Sequence, residues 1–258
     1  MADSQQRGPS IVVSNATFQA QDVASSHIHV REVVLKDKAL MQLSEKGTCA
    51  SSQGLMIWGK LIAAEGTSTV NRVTGNPNSL LMGDAATKTR SVEGTIEVRE
   101  GSTLRVENIL FDRSFHKTGT GTLLFAADNT FAAGSTKTIY FDEGWMVVNE
   151  ALKTANANFT TVRLSGGVGF DLREEENLPW TPSVVFTANV SSGQGRGKVK
   201  LNLGPRKFKS GDLVLAWNEN QDLTAVRSLA FTEASGQYSL SVTSRGVEVS
   251  PGIAILVR

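Results

Sequence analysis

Four carboxylates in this 258-residue sequence are best placed for bond-breaking chemistry: Asp112, Asp142, Glu143 and Asp171. Each lies beside a short, glycine-bounded apolar segment. On stacked strands they would approach the ~5–10 Å separations at which one carboxyl group protonates a glycosidic oxygen while a second attacks the sugar or activates water. Turns also favour acidic residues for their local backbone hydrogen bonding. The four therefore form an alternative catalytic set, that of a secreted glycan- or mucin-degrading hydrolase. No catalytic residue is assigned, and the leading expectation is a protein that is not an enzyme.

Residues 196–209 carry Arg196, Lys198, Lys200, Arg206, Lys207 and Lys209 with no acid among them. Val199, Leu201 and Leu203 alternate with polar residues, so on a strand the intervening lysines line the outer face. Such a stripe suits an anionic partner, a lipopolysaccharide or a sulfated or sialylated glycan. It is also how an edge strand keeps other strands away. The tryptophans Trp58, Trp145, Trp180 and Trp217, with Tyr140, offer rings that stack on sugars or pack in a core. The predicted ligand-binding set is Lys198, Lys200, Arg206, Lys207 and Trp145.

Other chemistries find little footing. His27 and His29 would share one face of a strand, but no third histidine lies near them in sequence and His116 stands apart, so neither a metal site nor a cofactor is predicted. No G-x-S-x-G elbow is present, and Cys49, the single cysteine, reads as a small packed residue. One cysteine makes neither an intrachain disulfide nor a zinc cluster. Gly193–Lys198 has the glycines of a phosphate loop, but Val199 stands where Ser or Thr is required. A net charge of +1 argues against a nucleic-acid partner. No apolar stretch approaches the ~20 residues of a membrane-spanning helix. Asn15, Asn158 and Asn189 open glycosylation sequons that matter only in a eukaryotic host.

The elements that hold these residues read as strands. Apolar and polar residues alternate with a period of two in Thr95–Arg99, Thr103–Glu107, Thr161–Leu164 and Lys198–Leu203. The best helical windows, Val33–Leu43 and Asp142–Leu152, also read as strands through their β-branched residues and flanking glycines. Further strands are expected over Asp212–Trp217, Tyr238–Thr243 and Gly246–Val249. Asn71–Thr89 is expected to loop out. Four segments resemble one another as a turn followed by a short strand: Lys36–Leu43, Glu100–Val106, Glu143–Val148 and Ser165–Leu172. A recurring unit that cannot bury its own apolar face must stack on its neighbours, which predicts an all-β solenoid.

Residues 117–136 carry the most specific pattern: Lys117, Gly119, Gly121, Thr122–Leu123, Asn129–Thr130–Phe131 and Gly134–Ser135–Thr136. In that order and spacing the segment resembles the autotransporter-associated β-strand repeat, the passenger-associated repeat of large bacterial surface proteins. Asp142–Asn149 stands where the family's closing strand would be. A single well-matched copy is present, where the family often carries several. The resemblance implies a right-handed parallel β-helix and a structural or adhesive role. The expected organisation is a disordered N-terminus over residues 1–10, β-helix rungs over 11–173, and C-terminal rungs or a β cap over 174–258, with the break at Glu174–Pro182. The polar start Met1–Gln6 has no apolar core and is not a signal peptide. The repeats favour an exported protein whose leader has been removed, located outside the cell or on the outer-membrane surface.

Overall fold

Alternation decides the elements. Gly94–Val98 and Lys137–Phe141 bury their first, third and fifth residues, and Thr103–Glu107 buries its second and fourth. That is the pattern of a strand with one face on a core. The computed structural model describes residues 8–20, 28–43, 53–72, 79–82, 93–111, 113–126, 129–131, 137–148, 153–154, 160–172, 183–184, 189–192, 197–205, 207–217, 223–226 and 228–250. Among them the chain is all β apart from one short helix, Leu223–Val226. The two windows with residual helical character form strands: Ile28–Lys36 and Leu40–Leu43 in the first, Trp145–Val148 in the second. The expected loop over Asn71–Thr89 is corrected in part, because Ser79–Met82 is a strand. Its Leu80 is buried and lies opposite Leu55 on one side and Phe111 on the other. Core pairing overrides the Asn, Pro and Gly residues around it.

The strands form two large parallel sheets, one of twelve strands and one of nine. Within these two sheets, strands successive in the chain do not pair with each other. Thr122–Ala126 lies between Thr103–Glu107 and Trp145–Val148 in one sheet, while the intervening Phe115–Thr118 and Lys137–Phe141 pair with each other in the other sheet. The connections thus pass from sheet to sheet, as parallel pairing requires. Gln53–Glu65, the longest strand, bends near Gly59, where a side chain would meet the carbonyl of Arg31. Its first half pairs with Ser79–Met82 and its second with Gly94–Val98.

All four look-alike segments fall on the nine-stranded sheet, as Leu40–Leu43, Thr103–Glu107, Trp145–Val148 and Gly169–Asp171. A residue with positive φ precedes each of them: Asp37 and Lys38, Gly101, Gly144, and Gly167. The same left-handed step recurs at Gly66 and Gly119 before two further strands of that sheet, Thr67–Arg72 and Thr122–Ala126, so one corner is built alike in several turns.

Lys117 occupies a core position at this corner. It is aligned with Ile96 on one side and Phe141 on the other and is fully buried. Its ammonium donates to the carbonyls of Gly121 and Glu143, both at 2.8 Å, and to that of Gly119. The glycines of the Lys-x-Gly-x-Gly motif make room for this. A side chain at Gly119 or Gly121 would run into the carbonyls of Val98 and Arg99, and one at Gly144 would lie 2.5 Å from the Lys117 Nζ. Burial pulls the Lys117 ammonium down from 10.5 to about 8, with the Glu143 charge pulling the other way.

The apolar core is continuous along both sheets. Leu104, Leu123, Met146, Phe170 and Leu201 stack across five strands, and Phe111, Phe115 and Phe125 interlock beside them. Two polar side chains inside it are satisfied by backbone. Asn129 donates to Val106 and Ala126 at 3.0 and 2.8 Å and accepts from the Ile109 amide at 3.0 Å. Burial alone would raise Glu233, but donation from the Ser235 amide and hydroxyl and the Gln237 amide holds its carboxyl below the ordinary glutamate value. The strand bearing Glu233, Phe231–Glu233, ends the nine-stranded sheet, and the sequence pattern did not predict it. In a third sheet, of four strands, Leu213–Ala216, Gly246–Val249 and Leu240–Val242 pair antiparallel and Ser183–Val184 runs parallel to the first, and Val214, Leu215, Trp217 and Val247 join the same core.

Two outcomes follow. Asn129→Ala strands three buried backbone partners and lowers stability by on the order of 3 kcal/mol in urea unfolding, since each unsatisfied group costs about 1–3. Between about pH 8 and 10.5 the unfolded chain holds the Lys117 proton and the folded chain does not, so wild type gains stability over Lys117→Met as pH rises through that window. Urea midpoints of both proteins at pH 7 and pH 10 read this directly, and a constant gap between them would contradict it.

Candidate functional site

The outer face of the nine-stranded sheet is a set of rows, one residue per strand. One row runs Thr103, Thr122, Trp145, Gly169, Lys200 and Thr232. Gly169 is aligned with Trp145 on one side and Lys200 on the other. Its missing side chain is what the tryptophan uses. A Cβ there would fall 2.5 Å from Cε3 and Cζ3 of the indole, so the ring sits over the Gly169 backbone and leans toward the Lys200 strand. The indole is half-buried, while Lys200 and Lys198 are exposed.

Several other cations on these sheets are paired with acids. Lys36 pairs with Glu65 at 2.8 Å, Lys60 with Glu97 at 2.7 Å, and Arg105 with Glu107. The hydrogen bond from Lys60, opposed by desolvation and aided by Arg99, holds the Glu97 carboxyl below its ordinary range. Among the described residues, no ion pair holds Lys198, Lys200 or Lys207, and all three are exposed. Their charge is directed at solvent and at whatever arrives from it.

A second constellation lies on the outer face of the twelve-stranded sheet. The row Lys60, Thr95, His116, Tyr140, Arg163 and Ser191 crosses six strands. His116 Nδ1 lies 2.6 Å from Asp142 Oδ2, and Nε2 lies 3.2 Å from Glu93 Oε2. Its ring stacks on Tyr140 at 4.4 Å with a 9° interplanar angle, and the Arg163 guanidinium covers Tyr140 at 5.5 Å. Burial, then the hydrogen bond and charge of Glu93, raise the Tyr140 hydroxyl above its ordinary value, against pulls from Thr138 and Arg163. Asp142 also accepts from the Ser165 hydroxyl at 3.3 Å. Two carboxylates thus face one imidazole from the strands on either side of it.

The predicted residues separate accordingly. Trp145 and Lys200 share a row, with Lys198 just before the same strand. Lys207 lies beyond that strand, and Arg206 is outside the described residues. Of the carboxylates, Asp142 joins His116, whereas Glu143 accepts the Gly119 amide at 2.9 Å in the corner turn. Asp171 sits on the other sheet, aligned with Val147 and Asn202, and Asp112 lies outside the described residues. His27, Cys49, Arg196 and Trp180 do as well, while His29 lies in the strand Ile28–Lys36. Trp217 is a core residue whose Nε1 donates to the Thr243 carbonyl. Sequence reasoning passed over Glu93 and Arg163 and took His116 as isolated. The signal that unites them is strand register, which spacing in the chain does not give. Among the described residues, no group of three or more His, Cys, Asp and Glu is arranged to hold a metal ion.

No protein-family model, curated protein or solved structure matches the chain.

His116→Ala removes two polar contacts and a ring stack from a side chain about one-third exposed. It is expected to cost on the order of 1 kcal/mol in urea unfolding, the scale of partly exposed charged contacts.

Proposed function

We propose that this chain is a right-handed parallel β-helix that serves as a structural and adhesive rod, secreted or displayed on a bacterial surface, and contacts acidic glycans of a host or matrix. The observation that carries the reading is the register: outward residues line up strand upon strand, which gives long faces of repeated, flat chemistry. Right-handedness accords with the rule that parallel crossovers take that hand in about 98% of cases. The resemblance to the autotransporter-associated repeat is supported by the role of its motif here, where Lys117, Gly119, Gly121 and Asn129 all serve the corner or the core. The antiparallel strands Leu213–Ala216, Leu240–Val242 and Gly246–Val249 act as a cap that closes the C-terminal end of the stack. Exposed lysines that have no acidic partner among the described residues, beside a half-buried indole, supply the contact chemistry.

The test is retention of the full chain on immobilised heparin and on mucin-coated surfaces. Binding that falls steeply as salt rises from 0.05 to 0.5 M, roughly a Debye length shrinking from over 10 Å to about 4 Å, fits the reading. Absence of retention at the lowest salt would end it.

One observation favours a second reading, a hydrolase with paired carboxylates. Glu93 and Asp142 flank His116 on an open face. Incubation with mucin and plant polysaccharides would then release new reducing ends, and Asp142→Asn would abolish that release while the protein stayed folded.

A further inference from the structure

We infer that Trp145, Gly169 and Lys200 form a subsite for a single acidic pyranose ring, so that a uronic-acid-containing glycan runs across the strands, along the direction in which they stack. The inference rests on the glycan-contact reading above and gives it a place and a substrate class.

Three neighbouring strands supply the parts. Trp145, Gly169 and Lys200 are consecutive in one outward row. Strands stand about 4.8 Å apart, so the Cα atoms of Trp145 and Lys200 are separated by about 10 Å. Gly169 leaves the strand between them bare, and the indole fills that space from one side. Lys200, exposed, stands on the other side of Gly169. A pyranose presents an apolar C–H face that packs on an aromatic ring, and a carboxylate at its rim meets a lysine in a charge-assisted bond. Lys198, exposed at the start of the same strand as Lys200, adds positive charge on that side. Elsewhere on these sheets Lys36 and Lys60 are neutralised by glutamates, whereas Lys198 and Lys200 have no such partner among the described residues.

Stacked nucleobases would use the same ring and cations, with phosphate in place of carboxylate. A near-neutral chain lacks the broad positive field such a polymer needs, which favours the sugar.

Isothermal titration of the full chain at low salt tests the assignment with four probes: a galacturonate hexamer, neutral dextran, dextran sulfate and a thymidylate hexamer. The galacturonate hexamer is expected to bind, dextran not, and Trp145→Ala and Lys200→Gln each to weaken binding about tenfold. Trp145→Phe keeps a stacking ring and should retain most of the affinity, which separates loss of the platform from loss of fold. Gly169→Val, whose added side chain displaces the indole, should behave as Trp145→Ala does. Lys36→Gln, on the other sheet, should change affinity less than threefold. Acidic-glycan binding that is unchanged in Trp145→Ala and Lys200→Gln would overturn the subsite and leave the adhesive reading standing. Binding to dextran sulfate alone would reduce the site to bulk charge, and tighter binding of the thymidylate hexamer would replace the sugar with a nucleic acid. Silence toward every acidic probe would remove both the subsite and the reading beneath it.

Discussion

A parallel strand cannot pair with its neighbour in the chain without a long return, and the architecture of this protein follows from that limit. Each turn contributes to both large sheets and comes back one position further on. The hydrogen bonds of Thr122–Ala126 are therefore made with residues that precede and follow it by a full turn. Its own apolar residues, Leu123 and Phe125, are covered by the same two neighbours. A single turn has neither a complete hydrogen-bond ladder nor a closed core, and stability accumulates only as turns are added.

Placing so many side chains in fixed register leaves little freedom inside; Lys117, Asn129 and Glu233 are held there by the main chain, while the buried Ser68 and Ser102 hydroxyls make no hydrogen bond. Lys117 is the plainest case. Its position in the stack is one that Ile96 and Phe141 fill with apolar side chains, yet its ammonium is surrounded by carbonyls of the turn it stabilises. Asn129 does the same for the segments around Ile109 and Ala126, and Glu233 for the turn that follows the last parallel strand. Where a backbone bend leaves amides or carbonyls facing inward, one well-placed side chain is cheaper than leaving them bare. The glycines beside Lys117 belong to the same solution, since carbonyls converge only where no Cβ intervenes.

Much of the fold was legible in the sequence because alternation and turn residues are local. The four look-alike segments were recognisable from a glycine or Asp-Lys turn and a short apolar run, and all four land on one sheet at one kind of corner. Ser79–Met82 and Phe231–Glu233 were not legible, because each is short and owes its shape to partners distant in the chain. The same boundary divides the candidate site. The lysines and Trp145 could be named from composition, but their alignment through Gly169 depends on a register that connections of unequal length conceal. His116 lies in one strand, and Glu93 and Asp142 lie at the ends of its two neighbours, so their meeting is invisible until those strands are placed side by side.

Those unequal connections have their own consequence. From Thr103 to Thr122 the chain makes a short circuit, and from Gly169 to Lys200 a longer one, yet both pairs sit directly opposite each other. The entropy of closing a longer circuit grows only with the logarithm of its length. Extra residues can therefore be admitted at a corner while the strands beneath keep their alignment. Such a scaffold separates what must stay constant from what is free to diversify, and lineages can rewrite its margins without redesigning its trunk.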